Sequence, residues 1–214
     1  MLGLVSLPAS GAALPPVTAS LELKPDPGSR YSRHQRLDVI RGQNPVEINI
    51  NSLIENIEGD IAVWARTTSP QDPEPALING QLHAVYRLPN LDSIGYVVQV
   101  KDPNESHWRP FHLPHSWRRT YEKTGFHQRL GIQARITFVK MNDEPLTIPG
   151  RSYTINDLFT VKIEKDKRHE ILRRTQAMTV TLKATSPTCR PSDIAVRNLR
   201  LPDISPSALP NIGS

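Results

Sequence analysis

Residues 107 to 125, HWRPFHLPHSWRRTYEKTG, gather more side chains capable of chemistry than any other stretch of this chain. Three histidines could ligate a metal, and His112 and His115 are spaced so that a loop could bring both onto one ion. No cysteine or carboxylate lies between residues 107 and 120 to complete such a site, so solvated or hydrogen-bonding histidines are expected and no metal. Nucleophilic or phosphate-handling chemistry finds no support either, because G-x-S-x-G, Walker A, G-x-G-x-x-G and H-E-x-x-H motifs are all absent. The protein is expected to be neither an enzyme nor a cofactor carrier. What the segment offers is contact: Arg109, Arg118, Arg119 and Lys123 can attract phosphate or carboxylate, while Trp108, Phe111, Trp117 and Tyr121 are costly to expose without a partner. Pro110 and Pro114 keep it irregular. The bland alternative is a basic sheet face that is simply kept wet.

The elements that must hold this segment read mainly as strands. Leu130, Ile132, Ala134, Ile136 and Phe138 alternate with Arg129, Gln133, Arg135 and Thr137, which predicts a half-buried strand over 129 to 141 with a basic outer face. Similar alternation predicts strands at 80 to 88 and 95 to 101, with PNLD as a hairpin connection, then around Phe159, Val161 and Ile163, and again from Met178 to Ala184. Ser52 and Glu55 stand at capping-box spacing before Leu53, Ile54, Ile57, Ile61 and Trp64, which predicts an amphipathic helix over about 52 to 66. KDKRHEILRR, residues 165 to 174, reads as a charged connection or short helix with the composition of a nuclear-import signal. The expected fold class is therefore α+β, an antiparallel sheet with at least one packed helix, carried on residues 45–185. Residues 1–44 and 186–214, rich in proline, read as flexible arms.

Composition narrows the partners. The chain has 214 residues, with 26 Lys and Arg against 21 Asp and Glu, a formal charge of +5 and a pI near 9.5, which suits an anionic partner. A lone cysteine, Cys189, excludes an internal disulfide framework and suits a reducing compartment. No apolar run approaches the length of a membrane span. The opening MLGLVSLPASGAALPPVTAS lacks a basic n-region and is interrupted by Pro8, so it reads as an arm rather than a secretion signal.

LPHSWRRTY followed by LGIQARITFVKMNDEP resembles the matrix proteins of rhabdoviruses, in which a hydrophobic-Pro step, an aromatic-Arg-Arg group and a Gly-led strand ending in acidic residues occur in this order. The matching positions are Leu113, Pro114, Trp117, Arg118 and Arg119, then Gly131, Ile132, Ile136, Thr137, Phe138, Asp143 and Glu144. The N-terminal arm departs from the family, carrying PPVT in place of a budding motif, and SPSALP is a near miss. The resemblance implies a structural viral matrix protein of the virion, lying on the inner face of the envelope and in host cytoplasm. Such a protein self-associates through its extended N-terminal arm, binds the viral ribonucleocapsid or RNA, and links it to an anionic membrane surface during assembly and budding. The residues expected to make those contacts are Trp108, Arg109, Trp117, Arg118, Arg119, Tyr121, Lys123, Arg129, Arg135, Lys165, Lys167, Arg168, Arg173 and Arg174. The alternative is a viral nucleic-acid-binding or movement protein that displays aromatic and basic side chains on a sheet.

Overall fold

The computed structural model describes residues 13–24, 31–111, 116–146, 148, 150–167 and 169–184. Eleven strands account for most of them: β1 (Val17–Leu23), β2 (Val39–Arg41), β3 (Val46–Arg66), β4 (Ala76–Ile78), β5 (Gln81–His83), β6 (Val85–Leu88), β7 (Leu91–Lys101), β8 (Arg109–Pro110), β9 (Arg118–Lys140), β10 (Arg151–Lys165) and β11 (His169–Ala184). Nine join one sheet in the order β2-β1-β11-β10-β3-β9-β7-β6, with β8 on β7, and β4 and β5 form a separate hairpin. Every pairing is antiparallel except that of β1 with β11, where Val17 faces Met178 and Leu23 faces Ala184.

The long strands bend and so serve two layers. The N-terminal half of β3 pairs with the C-terminal half of β9, Val46 opposite Ile136, and its C-terminal half pairs with both the start of β9 and the end of β10. Irregularities between Ile50 and Ile54, and between Ile155 and Phe159, mark where β3 and β10 turn. The curved sheet thereby closes over one core, in which Leu21 of β1, Val63 of β3, Val98 of β7, Ile136 of β9, Val161 of β10 and Val180 of β11 are all essentially solvent-free. A strap of residues 34 to 41 ties the layers together. Its amides at His34 and Leu37 donate to the carbonyls of Lys140 and Phe138 at 2.7 and 3.0 Å, and its last residues form β2 against β1.

Two elements differ from the sequence reading. No helix occurs among the described residues, so the fold is all-β, sandwich-like, rather than α+β with a packed helix. The helical spacing from Leu53 to Trp64 arises inside β3, where the bulge after Ile50 and the positive φ of Asn56 (52°) and Gly59 (142°) shift the two-residue alternation. Ser52 and Glu55 do bond, hydroxyl to carboxylate at 2.7 Å, but as exposed strand neighbours and not as a helix cap. Likewise KDKRHEILRR is no helix and only briefly a connection: Lys165 ends β10, Asp166 and Lys167 turn at positive φ, and His169 to Arg174 belong to β11. Within residues 1–44, Val17–Leu23 is a sheet strand, and Tyr31 and Leu37 are buried. The tail at 186–214 lies outside the described residues.

Candidate functional site

Residues directly opposite on neighbouring strands share a face of a sheet. The register therefore places Arg119 of β9, Trp64 of β3, Lys162 of β10 and Arg173 of β11 in one row across four strands. Val63 and Ala65, and Val161 and Ile163, flank this row in sequence and point into the core, so the row itself faces outward. Trp117 lies just before β9 and completes the group. The Arg66 guanidinium sits 4.7 Å from the Trp117 ring centre, the Lys162 ammonium 4.7 Å and the Arg173 guanidinium 5.6 Å. Trp64 in turn carries Arg119 at 5.7 Å and Lys162 at 5.4 Å. Cation–π attraction of this kind fixes long basic side chains that would otherwise sample solvent.

Most of the cations also hold a carboxylate: Arg119 pairs with Glu122, Lys162 with Glu164 and Arg173 with Glu170. Arg66 pairs with none among the described residues. Three buried N–H groups of the cluster, Trp64 Nε1, Arg66 Nε and Arg173 Nε, have no hydrogen-bond partner among the described residues. Beside them an open concavity of about 650 Å³ is bordered by Asp60, Trp64, Arg119, Glu122, Lys123, Glu164 and Lys167.

Trp108 belongs to a different place. Its half-buried ring lies between the Lys101 ammonium at 4.9 Å and the Arg135 guanidinium at 4.3 Å, and Arg135 is itself held by Glu47 at 2.8 Å. Arg109, on β8, pairs with Glu105 at 2.8 Å. Tyr121 is half-buried, its hydroxyl 2.9 Å from His127 Nδ1, and burial pushes its pKa up, with Asp102 adding to the shift. Arg129 stands exposed opposite Glu55, and Lys165 lies opposite Ile61. Arg174 donates to the Arg173 carbonyl at 2.8 Å. Arg118 is half-buried opposite Ala65. Arg168 lies outside the described residues, as do His112 and His115.

The structure thus unites Trp117, Arg119, Lys123, Lys167 and Arg173 around Trp64, and separates them from the Trp108–Arg135 pair. Sequence reasoning missed Trp64, Arg66, Lys162 and Lys101. Strand parity held the signal for the first three, since each alternates with apolar residues that strand pairing buries. The helical reading of 52 to 66 hid Trp64 by assigning it to the core.

No family model matches this chain, and no curated protein matches it in sequence. Among solved structures, it is similar to the Proteus mirabilis Ambient Temperature Fimbriae adhesin AtfE, with a TM-score of 0.52 and 17% identity, over 79% of this chain and 100% of that chain. The receptor binding domain of plasmid-born adhesin MrkD1P of Klebsiella pneumoniae aligns over 85% of this chain and 97% of its own, at 12% identity and a TM-score of 0.37 that carries no weight. The first likeness shows the fold alone, an all-β domain. It overturns the rhabdovirus matrix resemblance, and with it the virion location, the budding role, and the ribonucleocapsid, RNA and anionic-membrane partners, as well as the viral nucleic-acid-binding alternative. The physical reason lies in the matched residues. Gly131 is required because a Cβ there would stand 2.1 Å from the Ile50 carbonyl oxygen, and Ile132, Ile136 and Phe138 are ordinary inward positions of β9, so the match reflected strand grammar. Self-association through the N-terminal arm loses its basis too, because Leu21 and Leu23 of β1 are spent in the chain's own core.

Proposed function

We propose that this protein is a non-enzymatic receptor-binding domain of a bacterial cell-surface adhesin, and that its receptor docks on the outer face of β9, β3, β10 and β11. The observation that carries the reading is the row Arg119–Trp64–Lys162–Arg173 with Trp117 packed beside it, aromatic and charged groups presented together next to an open concavity. Concave surfaces with aromatic walls and a few fixed polar groups are the usual form of a binding site. The fold shared with AtfE, named as a fimbrial adhesin, supports the assignment and a cell-surface location. Of the residues singled out from the sequence, Trp117, Arg119, Lys123, Lys167 and Arg173 form this contact, and Trp108 with Arg135 contributes at most to its periphery.

Labelled protein incubated with cultured epithelial cells provides the test, read by flow cytometry. Saturable binding is expected, falling by about tenfold or more in Trp117→Ala, as for the truncation of an interface anchor, and unchanged in Arg41→Gln, on the distant β2. Equal binding by wild-type and Trp117→Ala protein, with both variants folded by circular dichroism, rejects this face as the site. Absence of saturable binding rejects the receptor-binding role.

A further inference from the structure

The Trp64–Trp117 cluster holds donors without acceptors. Trp64 Nε1, Arg66 Nε and Arg173 Nε are each buried and unpartnered among the described residues. Buried polar groups are nearly always satisfied, and one that is not marks a place for a water, an ion or a ligand. Two of them, Arg66 Nε and Arg173 Nε, belong to guanidinium groups packed on the Trp117 ring, and Lys162, 4.7 Å from that ring and 5.4 Å from the Trp64 ring, links them to the third. A water could satisfy one N–H; an oxyanion, with several lone pairs and a negative charge, can satisfy them together.

The Trp117 ring does not act as a stacking platform, since cations from β3, β10 and β11 already crowd around it. It acts as a scaffold. A guanidinium lying against an aromatic ring keeps its in-plane N–H edge free, and that edge matches two oxygens of a carboxylate or sulfate. The carboxylates nearby are committed to Arg119, Lys162 and Arg173, which leaves Arg66 uncompensated.

We infer that Arg66, Arg173, Lys162 and the Trp64 indole N–H form an oxyanion subsite, and that its ligand is an acidic saccharide bearing sulfate or carboxylate groups. The inference rests on the receptor-binding reading for the ligand's place on a cell surface. The saccharide assignment follows from the open concavity that Trp64 borders, whose rim of Asp60, Glu122, Glu164, Lys123 and Lys167 suits hydroxylated rings rather than apolar side chains.

Titration of tryptophan fluorescence in the intact chain tests it, with a heparin-derived tetrasaccharide, its chemically desulfated form, a glucuronate-containing unsulfated tetrasaccharide and a poly-glutamate peptide as probes. The sulfated or the carboxylated saccharide is expected to bind, with about a tenfold loss in Arg66→Gln and a similar loss in Arg173→Gln, as for removal of a charge-assisted bond. Which of the two saccharides binds assigns the oxyanion. Arg41→Gln, on β2 and paired with Glu22 away from the cluster, should bind as wild type does. The inference fails if neither acidic saccharide binds, if the Arg66→Gln and Arg173→Gln proteins, folded by circular dichroism, bind as wild type does, or if poly-glutamate binds more tightly than every saccharide. Cell binding that persists in Arg66→Gln removes the subsite and leaves the receptor-binding role. Saccharide binding without cell binding does the reverse.

Discussion

Asp72 is the most heavily shared carboxylate of the molecule. It is 3% exposed, and it accepts from Arg33 at 3.0 Å, from Arg87 at 3.2 Å and from the Glu74 amide at 3.1 Å, with His34 at 3.9 Å. Burial works to raise its pKa, but the Glu74 amide and the two guanidinium groups outweigh burial and hold the carboxyl below the usual range. His34 is held below the ordinary histidine value, first by burial and then by Arg33, against the opposing pull of Asp72 and Glu74. Both shifts have the same sign for stability. The unfolded chain binds more protons than the folded one, so stability is full above the unfolded histidine pKa of about 6.5 and declines as pH falls toward the lower folded value. A second decline sets in below about 3.9, where Asp72 protonates in the unfolded chain. Thermal melts from pH 8 to pH 3 should show both steps, and Asp72→Asn should flatten the lower one. Asp72→Ala should cost about 1–3 kcal/mol at neutral pH, because it strands partners that burial has partly desolvated. A melting temperature unchanged by the substitution would refute this. None of the network was legible in the sequence, since Asp72 meets Arg87 only because Gln71 pairs with Tyr86 of β6, and Arg33 joins them from the residue just before the strap.

At the scale of elements, the alternation of β9 from Leu130 to Phe138 was read correctly, and so were the inward positions of β7, β10 and β11 near Tyr96, Val161 and Val180. Two-residue periodicity is a local property and survives whatever the strand pairs with. The strand β3 was misread because a bulge and two positive-φ residues imitate a helical period. The strand predicted at 80 to 88 divides in two, for Leu82 lies 57% exposed on the outlying β4–β5 hairpin, opposite the exposed Leu77, and β6 begins at Val85. Where β3 bulges, β9 answers with Gly131, whose missing side chain leaves room for the Ile50 and Asn51 backbone. Gly131→Ala should therefore destabilise the protein by about 1–3 kcal/mol, as overpacking against immovable backbone does. Gly80→Ala offers a contrast: no atom stands within 4 Å of its added Cβ, and only its φ of +76° resists the change. Urea denaturation of the two variants compares them, and a milder effect at Gly131 than at Gly80 would contradict the packing.

For the whole molecule, the main hydrophobic core draws on β1, β3, β7, β9, β10 and β11, and a small second cluster of Ala76, Val85, Val97, Val139 and Met141 shares β7 and β9 with it. Unfolding should be a single cooperative transition, with coincident circular dichroism and tryptophan fluorescence curves. Curves that separate would show that the layers melt independently. That unity was invisible in a sequence whose first residues look like an arm, because the burial of Leu21 and Leu23 depends on a strand more than 150 residues away along the chain. The same pairing bears on how the protein carries mechanical load. Since β1 and β11 run parallel, the chain enters one at Val17 and leaves the other at Ala184, at opposite ends of the seven-pair ladder. A pull between those two points slides the strands along each other, so the ladder's hydrogen bonds share the strain at once instead of breaking in succession. Tension applied between Val17 and Ala184 therefore loads all seven pairs in parallel.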